Sequence, residues 1–229
     1  MRPRPHLSDQ LVVFYRFYIA FWCIFMARFH LAEMKYTIGI DEVGRGPIAG
    51  PVALGAFVFL KKGVSRIFAG VKESKQLSEN QREEWFAKIV SAQKIGLVDF
   101  CVKFESERII DKRGLSFAIR TALNESVESV RKHLKVDYKD VRVRLDGGLK
   151  APPEYIHQRT IIKGDEKEMV IALASICAKV LRDRKMIKLG KKYPEYGFEI
   201  HKGYGTRKHY EAIKKYGLLK EHRRSFLKR

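Results

Sequence analysis

The sequence predicts an α/β domain in which a mixed five-stranded sheet is flanked by helices and followed by a basic helical segment. Three observations lead there. Short apolar runs rich in Val, Ile and Phe recur at residues 36–42, 52–60, 95–104, 141–145 and 157–162. Longer stretches of helical periodicity separate several of them. The chain has 229 residues, 45% of them hydrophobic, which suits one domain with a sizeable core and leaves no room for two large ones.

The elements follow in chain order. Residues 36–42 (YTIGIDE) and 52–60 (VALGAFVFL) are strands joined by the Gly- and Pro-rich segment 44–51, a short connection that suits an antiparallel start. Ser78, with Glu79 and Gln81 behind it, carries a helix-start signature for a helix to about Gln93. Residues 95–104 give the third strand. Residues 105–134 are helical with a break at Gly114. Val141–Leu145 and His157–Ile162 are the last two strands, Glu166–Leu189 a long helix, and a further helix lies near Thr206–Tyr216. Read as β-β-β-α-β-α-β-α, this order puts the last two strands in crossover connections. There is no internal repeat.

A seam in composition falls near residue 34. The first 34 residues hold no Lys and no Gly, yet residues 11–31 hold 8 of the 26 aromatic residues. Arg16 and Arg28 interrupt this apolar stretch, leaving 11 uncharged residues from Phe17 to Ala27 where a membrane span needs about 20. Arg2 and Arg4 precede it as in a signal peptide, but no small-residue cleavage site follows. Two expectations stand for residues 1–34: an upstream extension in front of a true start at Met34, or an apolar helix. The main domain is expected to span 35–229, with its C-terminal helical segment starting near 190.

Charge narrows the partners. With 46 Lys and Arg against 26 Asp and Glu the formal charge is +20, so a polyanion is the expected ligand. Residues 182–229 carry sixteen Lys and Arg against five Asp and Glu. A solvated helix face is the bland account of such a run, but the interleaved Tyr193, Tyr196, Tyr204 and Tyr210 suit phosphate and sugar contacts. Three scattered cysteines, Cys23, Cys101 and Cys177, make neither a disulfide framework nor a zinc site, which argues for a reducing, cytoplasmic compartment.

Candidate chemistry sits at strand ends. Asp41 and Glu42 close an apolar strand and run into Gly44, Arg45 and Gly46; Asp146 ends VRVRLD ahead of two glycines; Asp165 follows TIIKG at a helix start. Ends of strands are where α/β clefts open. Adjacent strand residues point to opposite faces, so Asp41 and Glu42 share a cleft only if the pleat ends at Glu42. Each acid has an ordinary alternative: Asp165 as an N-cap, Asp146 as a turn residue, Asp41-Glu42 as a charged strand end. Four carboxylates in a basic protein, with no His or Cys at ligand spacing, favour Mg²⁺ or Mn²⁺ bridging to a phosphodiester. Asp183 is expected to pair with nearby arginines. His201, His209 and His222 suggest a surface polar cluster.

Several segments together resemble the ribonuclease HII family. They are Gly39-Ile40-Asp41-Glu42-Val43-Gly44-Arg45-Gly46-Pro47, Ser74-Lys75-Gln76-Leu77-Ser78, Asp146-Gly147 and Lys163-Gly164-Asp165. Ala174-Ser175-Ile176 with Ala178-Lys179 and Arg182-Asp183 follows, then Tyr196-Gly197-Phe198, His201-Lys202-Gly203-Tyr204-Gly205-Thr206 and His222-Arg223-Arg224-Ser225-Phe226. The resemblance runs from about Tyr36 to Phe226. It implies an RNase H-like fold and an endonuclease that cuts the RNA strand of RNA–DNA hybrids and nicks 5′ of single ribonucleotides in duplex DNA.

By matching position, it also implies Asp41, Glu42, Asp146 and Asp165 as catalytic, metal-binding acids for Mn²⁺ or Mg²⁺. Backbone around Gly44, Arg45 and Gly46 would read the ribose 2′-OH, Tyr204 would pack on the sugar at the junction, and Arg45 and Lys75 would contact phosphate. Two cations would activate water and stabilise the departing 3′-oxygen, leaving 3′-OH and 5′-phosphate ends. The expected partners are RNA–DNA hybrids and ribonucleotide-containing DNA duplexes, with no obligate protein partner, no membrane and a monomeric state. Glu73 departs from the Asp usual in the family, as does D-K-R-G-L at 111–115. The rival readings are a catalytically silent hybrid-binding module and another RNase H-like nuclease.

Overall fold

The computed structural model describes residues 36–227. The alternatives for residues 1–34, and Cys23 with them, lie outside the described residues.

Five strands form one sheet in the order β3-β2-β1-β4-β5. β2 (Val52–Phe59) runs antiparallel to both β1 (Tyr36–Val43) and β3 (Val98–Glu105), whereas β4 (Val141–Asp146) and β5 (Gln158–Ile161) run parallel to β1. The mixed sheet is the predicted one. Its connections follow the predicted element ranges and not the order β-β-β-α-β-α-β-α read from them. Helix α1 (Glu79–Lys94) lies between β2 and β3, and β4 reaches its parallel neighbour β5 through residues 147–157 with no helix between them. Gln158 braces that loop, its side chain bonding the backbone of Ala151 on both its N–H and C=O.

Both faces of the sheet are covered. Helix α2 (Glu107–Arg113) and helix α3 (Leu115–Leu134) follow β3, separated at Gly114 as the sequence predicts. The apolar face of α3 closes over Ile38 and Ile40 of β1, Leu54 of β2 and Val143 of β4. Helix α5 (Met169–Lys192) and α1 cover the opposite face around Phe57, Phe86, Ile89 and Ile176. Burying side chains of this size contributes roughly 1.5–3 kcal/mol each. Helix α1 opens with the expected reciprocal cap, Ser78 accepting from the Gln81 N–H and the Gln81 side chain accepting from the Ser78 N–H.

The long helix does not begin at Glu166. A single turn, α4 (Gly164–Lys167), precedes it, and Glu168 leaves helical geometry before α5 starts. Asp165 is therefore inside a turn capped by a left-handed Lys163, not an N-cap itself. The end of helix α5 is packed by α6 (Phe198–His201) and α7 (Arg207–Tyr216) around Met186, Tyr196 and Phe198, whereas α8 (Arg224–Leu227) docks on α2, where Asp111 accepts from the Arg224 and Ser225 N–H groups. Tyr196 is thus core, stacked on Phe198 with its hydroxyl donating to the Gly217 carbonyl, and unavailable to a ligand. Among the described residues no helix is long and apolar enough to cross a membrane.

Candidate active site

Strand pairing puts the acids where the sheet opens. β1 and β4 stay paired to Ile40 and Leu145, so the next residue on each strand, Asp41 and Asp146, stands where the two part. On the other side β1 keeps pairing with β2 through Glu42 and Val43. The pleat therefore does not end at Glu42, yet both acids line one cleft, because it forms around the strand ends. The cleft encloses about 350 Å³ and is bounded by Asp41, Glu42, Gly44, Arg45, Gly46, Lys75, Asp146 and Tyr204. Eight of the nine site residues named from sequence meet there. Asp165 does not line it, but is buried and lies 3.8 Å from the ammonium of Lys75, which does.

Crowded, desolvated acids shape the electrostatics. Burial pushes the Asp41 carboxyl up to about 8; the Ser175 hydroxyl counters this, and Glu42 and Asp146 add to it. Burial also raises Glu42, against the Arg45 guanidinium, whose Nη1 donates to Glu42 Oε1 at 2.9 Å. Asp165 is raised by burial and then by Asp146, with Lys75 opposing. Glu42 Oε2 is buried without a hydrogen-bond partner. Buried carboxylates that repel one another and leave an oxygen unpaired fit a hard divalent cation, whose charge reverses the local pKa logic. Among the described residues no three acidic, His or Cys side chains are already gathered as a ligand set; Asp146 Oδ1 accepts from the Gly164 N–H at 2.6 Å, which ties the β4 end to α4.

The loop after β1 is held from behind by two fully buried arginines. Arg223 donates through Nε to the Gly50 carbonyl at 2.9 Å, through Nη1 to Arg45 at 3.1 Å and through Nη2 to Gly44 at 2.7 Å. Arg182 donates to the carbonyls of Pro51 at 2.9 Å, Lys202 at 3.1 Å and Ala49 at 3.4 Å. Desolvation lowers both guanidinium pKa values, that of Arg223 to about 10. Gly44 sits at φ +93° against Arg182, where a Cβ would run into the guanidinium, so both backbone and space demand glycine. These contacts engage the loop's carbonyls at Gly44, Arg45, Ala49, Gly50 and Pro51.

Ser74, Ser175 and Lys179 also line the cleft and Arg182 and Arg223 brace its loop, and the sequence alone assigns none of them a role there. Ser175, Lys179 and Arg182 stand at i, i+4 and i+7 of α5, which one helix face presents together; that spacing was the available signal. Ser74 and Ser175 share a hydrogen bond of 2.8 Å across the cleft wall. Asp183 pairs with Lys179 at 2.9 Å and not with an arginine. The expected surface histidine cluster is in fact internal: His209 and His222 are buried. Tyr204 is 45% exposed, with its ring edge beside Gly46.

Known proteins bear on this geometry. A family model described as Ribonuclease HII matches residues 38–229. The ribonuclease HII of Caldicellulosiruptor bescii is 41% identical over 194 residues, covering 85% of this chain and 87% of that one. The solved ribonuclease H2 of Pyrococcus horikoshii OT3 superposes with a TM-score of 0.61 at 28% identity, over 83% of this chain and 93% of the other. The RNase HII of Archaeoglobus fulgidus, solved as a complex with PCNA, gives 0.64 at 26% identity over 82% and 93%.

Proposed function

The chain belongs to the ribonuclease HII family of type 2 ribonucleases H, and from that premise we propose that it hydrolyses the RNA strand of RNA–DNA hybrids and nicks 5′ of single ribonucleotides embedded in duplex DNA. The observation that carries the reading is the meeting of Asp41 and Asp146 at the fork of β1 and β4, beside a loop whose carbonyls are held by Arg182 and Arg223. A ribose 2′-OH is the group that distinguishes RNA from DNA at one site. Peptide N–H groups of residues 44–46, fixed in a preset loop, are suited to meet it, and the Tyr204 ring beside Gly46 is suited to pack on the neighbouring sugar.

Asp41, Glu42, Asp146 and Asp165 are the residues suited to hold Mn²⁺ or Mg²⁺. When bound, such ions lower the pKa of water and offset charge on the departing oxygen of an in-line displacement that leaves 3′-OH and 5′-phosphate ends. Asp41 and Glu42 need to be ionised for this role, and burial together with their acidic neighbours opposes that until positive charge arrives. Arg45 and Lys75 rim the same cleft with exposed cationic ends, suited to the flanking phosphates. Lys179 adds a third cation to the wall, oriented by Asp183.

Incubating the folded protein with a DNA duplex containing one ribonucleotide, under Mg²⁺ and under Mn²⁺, tests the reading. A single nick 5′ of the ribonucleotide is expected, and Asp146→Asn is expected to abolish it with the fold intact. No nick under either metal favours a silent binding module; comparable cutting of all-DNA duplexes or junctions favours a different RNase H-like nuclease.

A further inference from the structure

Behind Tyr204 lie three imidazoles whose hydrogen bonds admit one arrangement of protons. The Leu219 N–H donates to His222 Nδ1 at 2.9 Å, so His222 carries its proton on Nε2. That N–H faces His209 Nε2 at 3.1 Å, which must accept. His209 therefore carries its proton on Nδ1 and donates to the Tyr204 carbonyl at 2.8 Å. Protonating either ring would set two N–H groups head to head. Burial keeps both neutral, pulling His209 down to about 4 and His222 down as well, with Glu221 opposing and Arg224 and His201 adding to the drop at His222. The His201 ring stacks on His209 with centroids 4.3 Å apart. It accepts the Gly203 N–H on Nδ1 at 3.2 Å, and its Nε2 donates to the Tyr196 carbonyl at 2.7 Å.

Filling this space does not require imidazoles. Apolar rings would fill it without three polar groups to satisfy, whereas these bonds converge on the backbone of Gly203 and Tyr204. We propose that His209 and His222 are positioning residues for the substrate: a directed chain from Leu219 through two neutral imidazoles fixes the Tyr204 carbonyl and so holds the tyrosine ring beside Gly46. The proposal rests on the reading of Tyr204 as a sugar contact.

A double-mutant cycle on the single-ribonucleotide duplex tests it, using His209→Leu, His209→Asn, Tyr204→Ala and the Leu–Ala pair, with melting temperature followed for each. His209→Leu should raise KM and lower kcat/KM by roughly three- to tenfold, the range one buried hydrogen bond supports. His209→Asn, which keeps an amide N–H close to the place of Nδ1–H, should recover most of it. In the Tyr204→Ala background His209→Leu should change nothing further, because both act on one contact. Should His209→Leu not fold, His222→Gln against His222→Leu runs the same cycle. Effects that multiply, or wild-type kcat/KM in a folded variant lacking the chain, overturn the proposal alone. Full activity in Tyr204→Ala overturns the sugar-contact reading and the proposal with it.

Discussion

At the scale of single residues, Asp41 shows how an acid suited to hold a cation burdens the protein without one. Its carboxyl, at about 8 rather than 3.8, keeps its proton far longer folded than unfolded. Between those values the native state binds more protons, so the metal-free protein loses stability as pH rises through that window. Asp41→Asn removes the buried charge. Without metal, that variant should melt higher than the parent at pH 8.5, by a few degrees at roughly 2–4 °C per kcal/mol for a domain of this size, and the gap should narrow toward pH 5. With metal, nicking should fall by more than the roughly 10–100-fold typical of groups placed behind a ligand. Calorimetry and a nicking assay measure the two halves; equal melting points at pH 8.5 would count against a strained acid. Asp41 itself was legible in the sequence, since a carboxylate ending an apolar strand before a glycine turn has few ordinary uses. Arg182 and Arg223 were not: composition counts them as surface charge, and only the packed chain shows them inside, turned onto backbone carbonyls.

At the scale of elements, the strands and long helices follow from periodicity and caps, while their close approaches do not. Gly55 reads as a weak spot in a strand. In the fold it is the point where α5 presses on β2, and a Cβ there would overlap the Ala174 carbonyl, which is backbone and cannot swing aside. Gly55→Ala should therefore destabilise by about 1–3 kcal/mol or more, although alanine suits a strand no worse than glycine. A denaturant midpoint unchanged from the parent would mean that α5 shifts freely. Because α5 carries Ser175 and Lys179 into the cleft, any such shift should also lower activity beyond the loss of folded protein. The break at Glu168 escaped the sequence for the same reason: periodicity marks which face is apolar, and the break does not change a face.

At the scale of the whole molecule, the +20 charge and the cleft divide the work between affinity and selectivity. Lys and Arg on a duplex release counterions, so affinity for any duplex should fall steeply with salt, whether or not it contains a ribonucleotide. Reading of the 2′-OH by peptide N–H groups involves no net charge and releases no counterion. With about four to six phosphate contacts, raising salt from 50 to 200 mM should weaken binding roughly 10²- to 10³-fold. The ratio of affinities for a ribonucleotide-containing duplex over its all-DNA counterpart should stay nearly constant across that range. Arg223→Lys keeps the charge but cannot reach three carbonyls at once, so it should leave the salt slope alone and lower the ratio. Fluorescence anisotropy with non-cleaving Ca²⁺ measures both quantities. A ratio that collapses with salt in the parent would place selectivity in the charged rim, at Arg45 and Lys75, instead of in the loop that Arg182 and Arg223 hold in shape.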